Sequence, residues 1–308
     1  MKNRQGVAAL LGVLALGPIL AMTSCGPSVD LTGRSNGGNT DGTGIGPVTG
    51  FGSVIVNGVK YDDTGIDNTS FFDDHGRNKS GLMAGMMVKV TATGVNDVSG
   101  TGTATKIEVL RHVDGPLDDN GVTLATNRFR VMGQSVVADT TTVFDNVVAG
   151  SLIDLAAIDN LAKAGKRPEL EVHGVADNTG TIHATFVHLW DNNIAAGRGV
   201  QVKGTVSGLN SAKTIFTLGA ARVSLTSPPS GLDNGVFVEV KGTFRTSDNT
   251  VVAESVTIED PTAGQGAGDL VKAEGYVNRI VAAGARFELI GVDGLQLINW
   301  STGTTRFK

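Results

Sequence analysis

The feature that most limits what this chain can fold into is a strand-turn-strand unit that occurs three times with the same period-two alternation. Val88-Lys89-Val90-Thr91 leads through a polar turn to Ala104-Thr105-Lys106-Ile107-Glu108-Val109. Leu170-Glu171-Val172-His173 leads in the same way to Ala184-Thr185-Phe186-Val187-His188-Leu189, and Val238-Glu239-Val240-Lys241 to Ala253-Glu254-Ser255-Val256-Thr257-Ile258. Apolar and polar residues that alternate between turn formers mark half-buried antiparallel hairpins. A second landmark, a short strand broken by glycine, precedes each hairpin: Val48-Thr49-Gly50-Phe51, Val113-Asp114-Gly115-Pro116-Leu117 and Val202-Lys203-Gly204-Thr205-Val206. It returns once more as Ala273-Glu274-Gly275-Tyr276-Val277. Glycines at such places suit bulges or barrel corners.

These glycines stand 65, 89 and 71 residues apart, and 33 residues follow the last. The chain therefore divides into modules at 47–112, 113–197 and 198–262, then a linker and partial module at 263–308. Thr142-Val143-Phe144 is echoed by Thr69-Ser70-Phe71 and by Thr305-Arg306-Phe307, so the fourth copy stops before its closing hairpin. Five or six short strands bury their apolar faces with the fewest open edges by curling into a small barrel. The expected fold is all-β: tandem small antiparallel β-barrels, OB-like in size. The fourth module would expose an edge unless the chain continues beyond residue 308 or the half-barrel pairs with a neighbour. One short helix is expected in the second module. There Ser151-Leu152-Ile153-Asp154 reads as a capping box that opens Leu155, Ile158 and Leu161 at helical spacing, with Gly165 as the stop.

Ahead of the modules, Lys2 and Arg4 precede an apolar run over residues 7–22, the pattern of a signal peptide at 1–24. The run is shorter than the roughly 20 residues a membrane-spanning helix needs. Leu20-Ala21-Met22-Thr23-Ser24-Cys25-Gly26 follows, and Cys25 is the chain's one cysteine. The heptapeptide resembles the lipobox of bacterial lipoproteins, in which the cysteine is lipidated and becomes the first mature residue, although Met22 stands where Leu is usual. A lone cysteine can form no internal disulfide, and a free thiol in an oxidising envelope is a liability. Acyl chains would anchor the protein at about 0.8 kcal/mol per buried CH₂. Gly26, rather than Asp, implies the outer membrane by the same resemblance. Residues 25–46 carry the lipidated cysteine and then Gly, Ser, Asn, Thr and Asp, the composition of a flexible tether. Removal of residues 1–24 takes away Lys2 and Arg4 and no acid, so the formal charge of −5 becomes −7. With aromatics at 5%, that balance argues against a nucleic-acid surface.

The segment Gly44-Ile45-Gly46-Pro47-Val48-Thr49-Gly50-Phe51-Gly52-Ser53-Val54-Ile55-Val56-Asn57-Gly58-Val59-Lys60-Tyr61, with modules that end in Ala-Thr-x-Ile-x-Val strands, resembles bacterial envelope lipoproteins built from the DUF5666 domain. The resemblance implies a secreted, repeated β-domain and supplies no catalytic or binding residues.

Histidine offers the best lead to chemistry, because His173, His183 and His188 fall within one hairpin. Alignment of the hairpins puts His188 where Glu108 and Thr257 stand, facing solvent, and His183 where Val252 stands, facing inward. No metal site is expected from such a divergent set. His75 and His112 are expected in exposed loops. Asp62-Asp63, Asp73-Asp74 and Asp118-Asp119 read as turn chemistry, and none completes an EF-hand loop. Gly33-Arg34-Ser35-Asn36-Gly37 has G-x-S-x-G spacing but no strand before it or helix after it. Gly264-Gln265-Gly266-Ala267-Gly268 lacks the lysine of a P-loop and reads as a linker. Trp190 and Trp300 are the side chains able to stack on a sugar. No convergent catalytic set emerges and no cofactor is implied. The reading is a lipid-anchored, non-enzymatic envelope protein whose modules bind or assemble with an envelope protein or polysaccharide. The alternative is an envelope carbohydrate-binding or carbohydrate-acting protein that uses Trp190 and Trp300.

Overall fold

A computed structural model describes residues 28–30, 40–96, 98–146, 153–195, 197–259, 270–282, 286–291, 294–299 and 306–307. After β1 (Ser28–Asp30), the first module comprises β2 (Thr40–Gly50), β3 (Val54–Val56), β4 (Val59–Asp62), β5 (Phe71–Phe72), β6 (Met87–Asn96) and β7 (Thr101–Val109). The second holds β8 (Val113–Thr123), β9 (Arg128–Val131), β10 (Gln134–Asn146), α1 (Leu155–Lys163), β11 (Glu169–Ala176) and β12 (Ile182–Asp191). The third holds β13 (Gly199–Ser207), β14 (Ile215–Leu218), β15 (Ala221–Ser224), β16 (Phe237–Arg245) and β17 (Thr250–Ile258). The last strands are β18 (Leu270–Glu274), β19 (Tyr276–Ala282), β20 (Arg286–Gly291), β21 (Gly294–Asn299) and β22 (Arg306–Phe307).

Each repeated hairpin closes a ring. Strands β8-β9-β10-β12-β11 return to β8, and β13-β14-β15-β17-β16 return to β13. In both rings the third and fifth strands run parallel and the other neighbours antiparallel. That is a closed five-stranded barrel of OB type. The first module repeats the order as β2-β3-β4-β7-β6, with β6 bonded to both β7 and β2. Inward positions of the second and third barrels, among them Leu117, Phe129, Val187, Phe216 and Val238, merge into one apolar cluster. The first module's core takes in Phe186 from β12, a side chain outside its own barrel and inside the next.

The helix appears where expected, with its cap three residues later than the expected Ser151. Asp154 is the N-cap, its carboxylate accepting from Ala157 N at 2.8 Å, and Leu155 and Ile158 are buried. Gly165 follows the helix with φ +75°. Ser151 lies outside the described residues, as do Cys25, residues 33–37, residues 264–268 and Trp300.

The expected tether is corrected from Thr40 onward, where the chain is already strand and residues 42–46 are buried. Glycine serves close packing here, not flexibility. A Cβ on Gly44 would stand 2.5 Å from Tyr61 Oη, and one on Gly46 would stand 2.3 Å from Asn57 Oδ1. Asn57 Nδ2 in turn donates to the carbonyls of Ile45 and Lys272, at 2.8 and 3.3 Å.

The barrels are joined through their first strands. β8 and β13 pair antiparallel, Asp114 opposite Gln201 and Val113 opposite Val202. β2 pairs parallel with β18, the first strand of the fourth copy. On its other side β18 takes β1, antiparallel, on the side where a whole module places its own fourth strand. β22 pairs with β1, and β19, β20 and β21 form a separate antiparallel meander.

Candidate functional site

Because β8 pairs with β13, strands β12-β11-β8-β13-β16 form one continuous surface. Val187, Leu170, Val172, Val113, Val202 and Val240 point into the barrels. Alternation then places His188, Trp190, Glu171, His173, Asp114, Gln201, Lys203, Glu239 and Lys241 on the opposite face. On a free sheet these residues would meet water. Here Glu171, His173, His188, Asp114, Gln201 and Lys203 are buried: Arg77, Met87 and His75 of the first module bond Glu171, His173 and Asp114, and Glu239 pairs with Gln201 and Lys203. Residues 73–77, from the loop after β5, reach into this face.

Glu171 is the centre of the arrangement and is fully buried. Arg77 grips its carboxylate with both terminal nitrogens, Nη1 at 3.0 Å from Oε1. Arg111 Nε donates to Oε1 at 3.1 Å, His173 Nε2 stands at 2.6 Å, and Trp190 Nε1 donates to Oε2 at 2.8 Å. Burial would raise this carboxyl, but the bond from His173 and the two guanidinium groups hold it well below the usual range. Met87 N donates to His173 Nδ1 at 3.1 Å, so the neutral ring carries its proton on Nε2 and gives it to Glu171. Burial keeps that imidazole low in spite of the carboxylate.

The loop adds a second layer. Asp73 bonds Arg111 and, at 3.0 Å, Arg77. Asp74 Oδ2 stands 3.3 Å from Arg111 Nη1 and 2.8 Å from Lys241 Nζ, which ties the first module to the third. His75 bonds Asp114 and stacks on Trp190, with ring centroids 4.4 Å apart and planes at 27°. Burial would lower the His75 imidazole, but the bonded Asp114 carboxylate and the charge of Glu171 raise it on balance. The Arg77 guanidinium lies 4.7 Å from the Trp190 ring centre, and His188 meets that ring edge-on at 4.4 Å. Chemically the set is a three-barrel interlock in which each charge is answered by its neighbour. A second feature, a cleft of about 220 Å³, lies between the second and third barrels.

The model for a family described as a domain of unknown function (DUF5666) matches residues 45–108, 114–188 and 209–257. The chain belongs to the DUF5666 family. No curated protein and no solved structure matches it. The three matched DUF5666 segments fall on the three closed barrels, and the interlock is built where those segments meet.

Several sequence expectations are corrected at this DUF5666 interlock. His188 was expected to face solvent and is buried, bonded to Asp145 Oδ2 at 2.8 Å, because the first module covers the outer face of β12. His183 was expected to face inward and instead meets Asp177 at 3.1 Å, with over a third of its side chain exposed. His112 and His75 were expected in exposed loops. His112 is buried at the module junction, and His75 is mostly covered by Trp190 and Asp114. His173 and His188 do gather near Glu171, yet no cluster of three metal-ligating side chains occurs among the described residues. Asp73 does make the expected turn, its Oδ1 accepting from His75 N at 3.0 Å, and in addition Asp73 and Asp74 are ion-pair partners of Arg111, Arg77 and Lys241. Trp190 belongs to the interlock, with its N–H on Glu171. Glu171, Arg77, Arg111 and Asp114 were missed; charge at every second position of β11 marked only Glu171, and ordinary solvent-facing strands share that pattern.

Proposed function

We propose that this DUF5666 protein is a lipid-anchored, non-enzymatic component of the bacterial cell envelope, in which barrels held as one body present a surface for binding or assembly. The interlock around Glu171 carries the reading. Its carboxylates and cations are paired with one another beneath the 73–77 loop, an arrangement suited to fixing domain positions. The anchor is Cys25, and the outer membrane is the proposed site, with the modules in the periplasm or at the cell surface. The partner is an envelope protein or polysaccharide. A sugar-stacking role for Trp190 finds less support, since its indole N–H bonds Glu171 and His75 covers its ring.

Two measurements test this. Intact mass of membrane-extracted protein should carry an acyl increment on Cys25, and its absence would overturn the anchor. Capture from native envelope extract by the full-length protein, against an acidic β-protein control, should enrich one protein or polymer. A capture indistinguishable from the control would sink the binding role.

A further inference from the structure

The cleft between the second and third barrels has a floor made of backbone. A Cβ on Gly133, at φ +77°, would stand 2.6 Å from the Ala220 carbonyl carbon, so the β9–β10 turn rests directly on the β14–β15 turn. Gln134 Nε2 donates to Leu218 O at 2.5 Å across the same contact. The two barrels thus fix the shape of the floor before any ligand arrives, as preformed pockets require.

The walls balance in charge: Arg130 and Arg167 against Asp118 and Asp119. Asp118 is committed, since its oxygens accept from Gly133 N at 3.0 and 3.1 Å and Arg130 Nε stands at 3.3 Å. Asp119 and Arg167 are not. Asp119 is 81% exposed and lies 3.9 Å from Arg167 Nε, beyond hydrogen-bond range. Arg167 Nε is buried and has no hydrogen-bond acceptor. Its guanidinium is held ready by the Phe244 ring, 5.3 Å away, and by Asn249 Oδ1, 3.3 Å from Nη2.

We propose that this cleft binds one neutral sugar ring. An anion entering it would meet two carboxylates, and a cation two guanidinium groups. A polyol offers a hydroxyl, both donor and acceptor, to each unanswered group, and a C–H face to Met132 and Phe244. The volume is below the roughly 300–1,000 Å³ of drug-sized pockets, which limits the occupant to about a single ring. The proposal deepens the binding role proposed above by naming a site and a ligand class, and it rests on that role alone, not on the anchor.

The test is calorimetric titration of the full-length protein in detergent with glucose, galactose and N-acetylglucosamine, and with glucuronate and spermidine as charged probes. At least one neutral sugar should bind saturably, with a Kd in the millimolar range, and more tightly than either charged probe. Arg167→Gln and Asn249→Gly should each weaken that binding by about tenfold while melting as the parent does. Asn249 has φ +52°, which glycine adopts freely. Flat titrations with all three neutral sugars, tighter binding of a charged probe, or parent-like binding by both variants would each overturn the proposal. If the envelope capture still enriches a partner with wild type and Arg167→Gln alike, the cleft proposal alone has failed and the broader binding role stands.

Discussion

Acidification should loosen this protein above the ordinary carboxylate range, and His112 is where the effect can be isolated. The backbone of His112 ties the barrels together, its N–H donating to Val172 O and its carbonyl accepting from Lys203 N, both at 2.9 Å. Its side chain is buried at that junction. Burial and the nearby charge of Lys203 hold the imidazole down to about 3, against 6.5 for a free histidine. Between those values the unfolded chain binds a proton that the folded chain does not, so stability falls as pH falls through the window. The loss is about 1.4 kcal/mol per pH unit below 6.5, or about 3 kcal/mol by pH 4.5. His173 and His188, also held low, add to the same acid slope. The raised His75 acts on the other side: its contribution is complete below pH 6.5 and is lost as pH rises through its folded value. Glu171, held low, gives up its contribution only below the ordinary carboxylate range, about pH 4. Urea unfolding of wild type and His112→Asn at intervals from pH 7 to pH 4.5 reads the effect directly. The wild-type curve should be the steeper by about 1.4 kcal/mol per pH unit. Parallel curves would refute a buried neutral His112.

Glu171→Gln leaves Arg77 and Arg111 with Asp73 as their one shared anion and should destabilise by about 2–4 kcal/mol in denaturant unfolding; a loss under 1 kcal/mol would mean the interlock is decorative. Phe186→Ala removes a second-module side chain from the first module's core and should cost about 3–5 kcal/mol. Hydrogen exchange should place the added opening in β6 and β7, and opening confined to β11 and β12 would count against the shared core. Gly44→Ala drives a methyl against Tyr61 Oη and should lower the melting temperature, with Tyr61→Phe in the same chain restoring part of the loss. No recovery in the double variant would mean the clash lies elsewhere.

The hairpins and their ring closure were legible because alternation reports local environment, and three copies with one spacing leave few topologies. Leu170, Val172 and Val187 are inside their barrel as their pattern requires. The same pattern says only that Glu171, His173 and His188 lie on the other face. It is silent about what covers that face, and the cover is residues 73–77, supplied by another module almost a hundred residues earlier. Glycine was misread for a related reason. In residues 40–46 it looks like flexibility in a linear reading, and only the positions of Tyr61 and Asn57 reveal close packing. Asp154 rather than Ser151 is the helix cap; both are good cap residues, and composition alone does not choose between two such residues three positions apart.

The pairing of β2 with β18 also sets an order of events. Each barrel closes on strands supplied within its own module, so a chain emerging from its N-terminus can finish the first, second and third in turn. The outer edge of β2, at residues 42–45, must wait for residues 270–273, about 230 positions later. Until they arrive, that edge presents free amides and carbonyls on a strand with glycine at 42 and 44, with few side chains to discourage a stray partner. The hazard is therefore one of time: a nascent or shortened chain that has folded its three barrels, yet lacks β18, carries an open template for pairing with its own copies.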